Sequence, residues 1–152
     1  MSTSSGIDAS FAGRAYPATR PYEVGREELR EFAETVGAAH PAHSDPDAAR
    51  ALGYPDVIAP PTFAVKIAQM ADRQFVTDPA AGIDYSRVVH GEQSFTHHRP
   101  IVAGDRLEAV LHVDSVREVR GTAMVTTRNE IRTVAGEPVS TVVSMLVVRA
   151  AG

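Results

Sequence analysis

Titratable side chains crowd into one stretch of this sequence. From Gly37 to Pro46 the chain reads Gly-Ala-Ala-His-Pro-Ala-His-Ser-Asp-Pro, so His40, His43 and Asp45 fall close together. It then runs through Gly53-Tyr54 to Ile58-Ala59-Pro60-Pro61-Thr62-Phe63. A histidine beside a carboxylate can exchange a proton with a substrate, worth roughly 10²–10⁴-fold in rate. The same three groups could instead hold a metal ion. The plainer alternative is that a loop histidine is a surface or capping residue. His97-His98 could enlarge a metal set, but strand neighbours point to opposite faces and cannot both serve one ion. No metal site is expected. In a β-rich run, His90 and Glu92 are expected to share a face, lining a cleft or hydrogen-bonding across a sheet. No Ser or Thr has a nucleophile-elbow setting, and no Gly-rich loop could cradle a phosphate.

The rest of the composition narrows the field. The chain has 152 residues, no cysteine and a formal charge of −4, with 43% hydrophobic and 22% charged residues. Thiolate catalysis, disulfides and Cys-ligated metals are excluded. The acidic balance gives no reason to expect nucleic-acid binding. No apolar run approaches the ~20 residues of a membrane span, and the first residues do not read as a secretion signal. The expectation is a soluble, cytoplasmic protein with an N-terminal arm over 1–20 and one domain over 21–152. The arm, rich in Ser, Gly and Ala, reads as loose, with Phe11 and Tyr16 as its docking points.

The elements that must position the polar stretch are legible from period. Leu29, Phe32, Ala33 and Val36 recur at helical spacing, and Gly37 ends that helix. Asp45 and Pro46 open a short second helix that closes at Gly53. From Phe63 to Arg73 nearly every residue is apolar except a stripe of Lys66, Gln69 and Arg73 and the single Asp72. Such a helix belongs inside the fold, with Thr62 as its cap. Beyond Gly82, the runs Val88–Arg99, Leu107–Val119, Thr122–Val134 and Val139–Arg149 are β-rich and separated by Gly-containing turns. The last is apolar on both faces and reads as a central strand. Together they predict an α+β fold, an antiparallel sheet wrapped around one long central helix.

The segment around His43 resembles the MaoC-like hydratase/dehydratase family, which has a hot-dog fold. Catalytic members carry Gly-Asp-x-Asn-Pro-x-His, then a short helix and Ile-Ala-His-Gly. Their Asp and His, five positions apart, handle the water and proton exchanged across a 2-enoyl/3-hydroxyacyl thioester. On this chain Pro41 and His43 match, His40 stands at the Asn and Ala38 at the Asp. Ile58-Ala59-Pro60-Pro61 stands for Ile-Ala-His-Gly, and proline has no N–H to polarise a carbonyl. The chain from Tyr22 onward is similar to the non-catalytic subunits of actinobacterial (3R)-hydroxyacyl-carrier-protein dehydratases (the FAS1-like dehydratase branch). The resemblance rests on Tyr22-Glu23-Val24-Gly25-Arg26-Glu27, Ala59-Pro60-Pro61-Thr62-Phe63, His90-Gly91-Glu92-Gln93, Arg99-Pro100-Ile101-Val102-Ala103-Gly104-Asp105 and Val113-Asp114-Ser115-Val116-Arg117-Glu118.

The resemblance implies a subunit of a (3R)-hydroxyacyl-thioester dehydratase or hydratase in fatty-acid metabolism. Because Ala38 replaces the acid, the chain is expected to be the non-catalytic partner that accommodates the acyl chain. Implied ligands are acyl-ACP or acyl-CoA thioesters, with no cofactor. The implied partner is a catalytic MaoC-like subunit or a second copy. Pro60, Thr62, Phe63, Met70 and His90 are the tunnel or cleft candidates, with Phe75 beside Met70. Lys66 and Arg73 either meet a phosphopantetheine arm or carrier acid, or form a solvated stripe. Two alternatives stay open: a self-sufficient hydratase using His43 with His40 or Asp45 in place of the Asp, and a non-catalytic acyl-thioester-binding homodimer. A wrapped sheet also leaves edge strands that pairing would cover.

Overall fold

Four long alternating runs and one short strand close into a single antiparallel sheet. In the computed structural model, which describes residues 7–149, the strands are β1 (Tyr22–Glu23), β2 (Val88–His97), β3 (Arg106–Val119), β4 (Thr122–Thr133) and β5 (Pro138–Val148). The helices are α1 (Arg26–Val36), α2 (Pro46–Ala51) and α3 (Ala64–Val76). The sheet order is β1-β3-β4-β5-β2. This is the expected α+β hot-dog architecture. β3, β4 and β5 form a meander, and β2 lies on the far side of β5 rather than beside β3. That placement makes β5 internal, as its apolar run requires.

The β3–β4 hairpin turns at Arg120-Gly121, both in left-handed conformation (φ 53° and 79°). Two such residues match the turn that fits the twist of adjoining strands. Leu107, Ala109, Leu111 and Val113 of β3 then face inward with Ala123, Val125 and Ile131 of β4 and Val142, Leu146 and Val148 of β5. α3 lies across this concave face, burying Ala64, Ile67, Ala68, Ala71 and Phe75. Its three alanines let the helix approach the sheet closely, while Lys66, Gln69 and Arg73 stay exposed on the outer stripe. Among the described residues no helix is long and apolar enough to cross a membrane.

Several local expectations change. Thr62 does not cap α3: Phe63 holds the N-cap position and no side chain bonds there. Val36, expected on the apolar face of α1, is exposed, because the helix meets the core through Leu29 and Ala33. The stretch 7–20 is not loose. Gly13, Tyr16 and Thr19 donate backbone N–H groups to Val113, Leu111 and Ala109 at 2.7–3.0 Å, and Val113 returns one to Arg14. Phe11 and Tyr16 pack on Phe75 at ring separations of 6.2 and 6.0 Å. This strip and β1 cover the β3 edge. The β2 edge stays open, and β2 is exposed along nearly its whole length.

Candidate functional site

The polar loop after α1 is built from local caps. His40 Nδ1 accepts the Ala42 N–H at 3.1 Å, fixing the one-turn helix Pro41–His43. The Asp45 carboxylate accepts the Asp47 N–H at 2.9 Å and starts α2. Both groups offered as substitutes for a catalytic acid are thus occupied as caps. Ala38 is half-buried just beyond the α1 cap, and its N–H goes to Ala33 O at 2.8 Å.

His43 does face a cleft. Its Nδ1 lies 2.8 Å from the Ile58 carbonyl, which can only accept, so Nδ1 carries a hydrogen and a neutral ring has its lone pair on Nε2. The cleft holds about 390 Å³ and is walled by Ile58–Pro61 on one side and His97–Ile101 on the other. No Asp or Glu lines it. His97 Nδ1 meets Ser140 Oγ at 2.6 Å, and His98 Nε2 meets Thr141 Oγ1 at 3.3 Å. Arg99 fixes the outer wall through Asp105 and Glu137. The backbone donors of Ile58 and Ala59 are spent as well. Ile58 N–H goes to Ala42 O and Ala59 N–H to Ile101 O, at 3.0 and 2.8 Å. Pro60 and Pro61 have none. The cleft gathers the imidazoles of His43, His97 and His98, with neither an Asp or Glu nor a Pro60 or Pro61 amide to share the work. Among the described residues no three His, Asp or Glu side chains converge as a metal site would need.

The other candidates are dispersed. Pro60 lines the His43 cleft, whereas Phe63 is fully buried in the core, edge-on to Phe32 at 5.3 Å. Thr62 is exposed. Met70 borders a different depression, with Arg20, Lys66 and Arg73. His90 borders a third cleft of about 330 Å³ between α3 and β2, with Gln69, Asp72, Tyr85, Val88 and Leu146. Phe75, named with Met70 as bordering a cavity, is wholly in the core.

His90 and Glu92 do not share a face. The ladder slips between them: His90 pairs with Leu146, but Glu92 pairs with Met145. The bulge at Gly91 turns Glu92 to the outer face and Gln93 to the inner one, where Gln93 Nε2 donates to Ser144 Oγ at 3.1 Å. A Cβ on Gly91 would lie 2.9 Å from Met145 Cε, the flexible end of a side chain that can move aside, and 3.2 Å from Val147 Cγ2.

Sequence reasoning missed Asp72 as a site residue. It is buried on the sheet-facing side of α3 and accepts from Asn129 Nδ2 at 2.8 Å. Burial pushes its pKa up, while Asn129 and the His90 charge pull the other way. Thr127 Oγ1 and Asn129 Oδ1, both buried, have no hydrogen-bond partner among the described residues. A signal for Asp72 was available in the sequence, since it falls in the row Ala64, Ala68, Ala71, Phe75 rather than on the charged stripe.

Comparison with known proteins places these clefts in context. Residues 10–142 match the family model described as FAS1-like, dehydratase domain region. A UPF0336 protein of Saccharopolyspora erythraea is 59% identical over 143 residues, covering 94% of this chain and 92% of that one. A solved MaoC-like dehydratase is 37% identical with a TM-score of 0.85; the match covers 93% of this chain but spans only 43% of that protein. A chain of the C-terminally truncated HadBC (3R-hydroxyacyl-ACP dehydratase) complex from Mycobacterium tuberculosis is 35% identical, TM-score 0.81, covering 93% and 98%.

Proposed function

The chain belongs to the FAS1-like dehydratase family, and from that premise we propose that it is the non-catalytic, acyl-chain-accommodating subunit of a (3R)-hydroxyacyl-thioester dehydratase in cytoplasmic fatty-acid metabolism. The observation that carries this reading is the His43 cleft, which has a free imidazole nitrogen and no carboxylate. Moving a proton from the α-carbon while protonating a departing β-hydroxyl needs groups in two protonation states at one place. The Asp and His of the catalytic pattern supply both, whereas this cleft is lined by imidazoles and no carboxylate. The partner carries the chemistry: a MaoC-like subunit that retains the Asp and His.

The pairing surface follows from the edges. Among the described residues the arm and β1 occupy the β3 side and leave β2 as the long open edge, along which a second sheet would add. That the related HadBC structure is a complex supports assembly of this kind. Acyl-ACP or acyl-CoA thioesters are the ligands. Pro60 of the His43 cleft and His90 with Val88 and Leu146 of the α3–β2 cleft border the chain's path.

Hydration of crotonyl-CoA by the purified chain, alone and with a co-expressed catalytic MaoC-like subunit, tests the reading. Turnover is expected only in the complex and is unchanged by His43→Ala. Turnover by the chain alone that His43→Ala abolishes would refute it. That result would favour the second reading, a self-sufficient hydratase, whose support is the bare His43 Nε2.

A further inference from the structure

A polar patch interrupts the apolar concave face of the sheet. Thr127 of β4 stands opposite Ser144 of β5, which stands opposite Gln93 of β2, so one polar row crosses three strands. Asn129 lies two residues along β4 from Thr127 and shares its face. Above them α3 contributes Asp72, which accepts from Asn129 Nδ2 at 2.8 Å. Ser144 is satisfied by Gln93 at 3.1 Å. Thr127 Oγ1 and Asn129 Oδ1 are not: both residues are fully buried, and neither atom has a hydrogen-bond partner among the described residues. A buried polar atom without a partner forfeits the bonds that water gave it, so the patch is held at a cost to stability.

The patch adjoins a cleft. Asp72 and Leu146, both buried, lie at the floor of the 330 Å³ hollow between α3 and β2, and the exposed Gln69 and His90 stand at its rim. Val76 and Val88 add apolar wall. An apolar cleft with a few convergent polar groups is the usual form of a ligand site. The cleft also lies beside β2, the edge that the strip and β1 leave free. What this floor lacks is donors, since the Asp72 carboxylate and Asn129 Oδ1 both accept. A ligand carboxylate would bring none and would face the Asp72 charge. An ammonium would bring donors but would meet the Arg73 guanidinium at the rim. A hydroxyl brings a donor and no charge, and its oxygen accepts as well.

We infer that the α3–β2 cleft selects acyl chains carrying a hydroxyl at the end remote from the thioester, with Asp72 and Asn129 as the groups that receive it. The inference rests on the acyl-chain reading for the nature of the chain and adds a selectivity for an oxygenated terminus. Methyl 8-hydroxyoctanoate and methyl nonanoate are matched in length and differ by OH for CH₃ at the end. Both are titrated against the purified chain by calorimetry, and their contacts are mapped by amide chemical shifts. The hydroxy ester is expected to bind at least about tenfold more tightly, the lower end of what a hydrogen bond to a charged group gives, and to shift amides over 72–76 and 88–93. Asp72→Leu with Asn129→Leu makes the floor apolar and is expected to reverse the order of the two esters. Equal binding of the esters, binding of neither, or shifts confined to other residues would overturn the inference. So would tighter binding of methyl 8-aminooctanoate, or a hydroxyl preference that survives in the double variant. The comparison on the unmodified chain decides even where the double variant does not fold. Neither ester requires turnover, so failure here leaves the crotonyl-CoA result standing, and failure of that assay leaves the hydroxyl preference readable by itself.

Discussion

Replacing Asp72 by asparagine isolates the one acid that α3 turns into the core. Asp72 is 8% exposed, and its Oδ1 receives a hydrogen bond of 2.8 Å from Asn129 Nδ2. Burial raises its pKa above the ordinary 3.8. Once unfolded, the group loses its proton near that ordinary value; folded, it does so only at higher pH. Between the two, the folded state holds more protons, so stability falls as pH rises. The side-chain amide of the D72N variant has no charge to desolvate. Its oxygen keeps the bond from Asn129, and its NH₂ group can donate to Asn129 Oδ1, which has no partner among the described residues. That hydrogen bond alone contributes about 0.5–1.5 kcal/mol, and removal of the buried charge adds to it. At pH 8 D72N should gain at least about 1 kcal/mol. For a chain of this length that raises Tm by about 2–4 °C. Melting curves of both proteins from pH 4 to 8 should show the gap shrinking toward the acid end. A D72N protein less stable than wild type at pH 8, or a gap independent of pH, would refute the reasoning.

Other perturbations test the packing around the clefts. Phe75→Ala removes a fully buried ring that Phe11 and Tyr16 pack against, and should cost about 3–5 kcal/mol in denaturant unfolding with an unchanged m value. Tyr16 donates to Asp78 at 2.7 Å, and burial first, then that bond, pushes its pKa up to about 12. The folded state keeps this proton after the unfolded chain has lost it, so stability falls between about pH 10 and 12; Tyr16→Phe should flatten that part of the alkaline melting profile. Arg99→Ala breaks the fork onto Asp105 and the contact with Glu137, leaving Asp105 half-buried with only the Val102 N–H. It should cost about 1–2 kcal/mol and speed amide exchange over 97–101, the outer wall of the His43 cleft.

Much of the architecture was legible because it rests on local period. Alternation in β3 to β5 and the apolar length of α3 require a sheet around a helix, and the boundaries fall within a residue or two of the β-rich runs. The chemistry of position 38 was legible too, since an alanine cannot exchange protons in any fold. Sites were harder to read, because side chains far apart in sequence must meet. Met70, His90 and Pro60 look equivalent in the chain, yet they border three different hollows. A one-residue bulge at Gly91 reversed the face of Glu92, a slip that no alternation pattern records. The strip 7–20 has no period of its own, because its order comes from hydrogen bonds that the β3 edge supplies. Residue types and their spacing were enough to say which elements form and which side chains each stretch can offer, because both are local properties. Which polar groups share a space was open until the chain was folded: that depends on strand order, register and helix depth, and these follow from packing the whole chain at once.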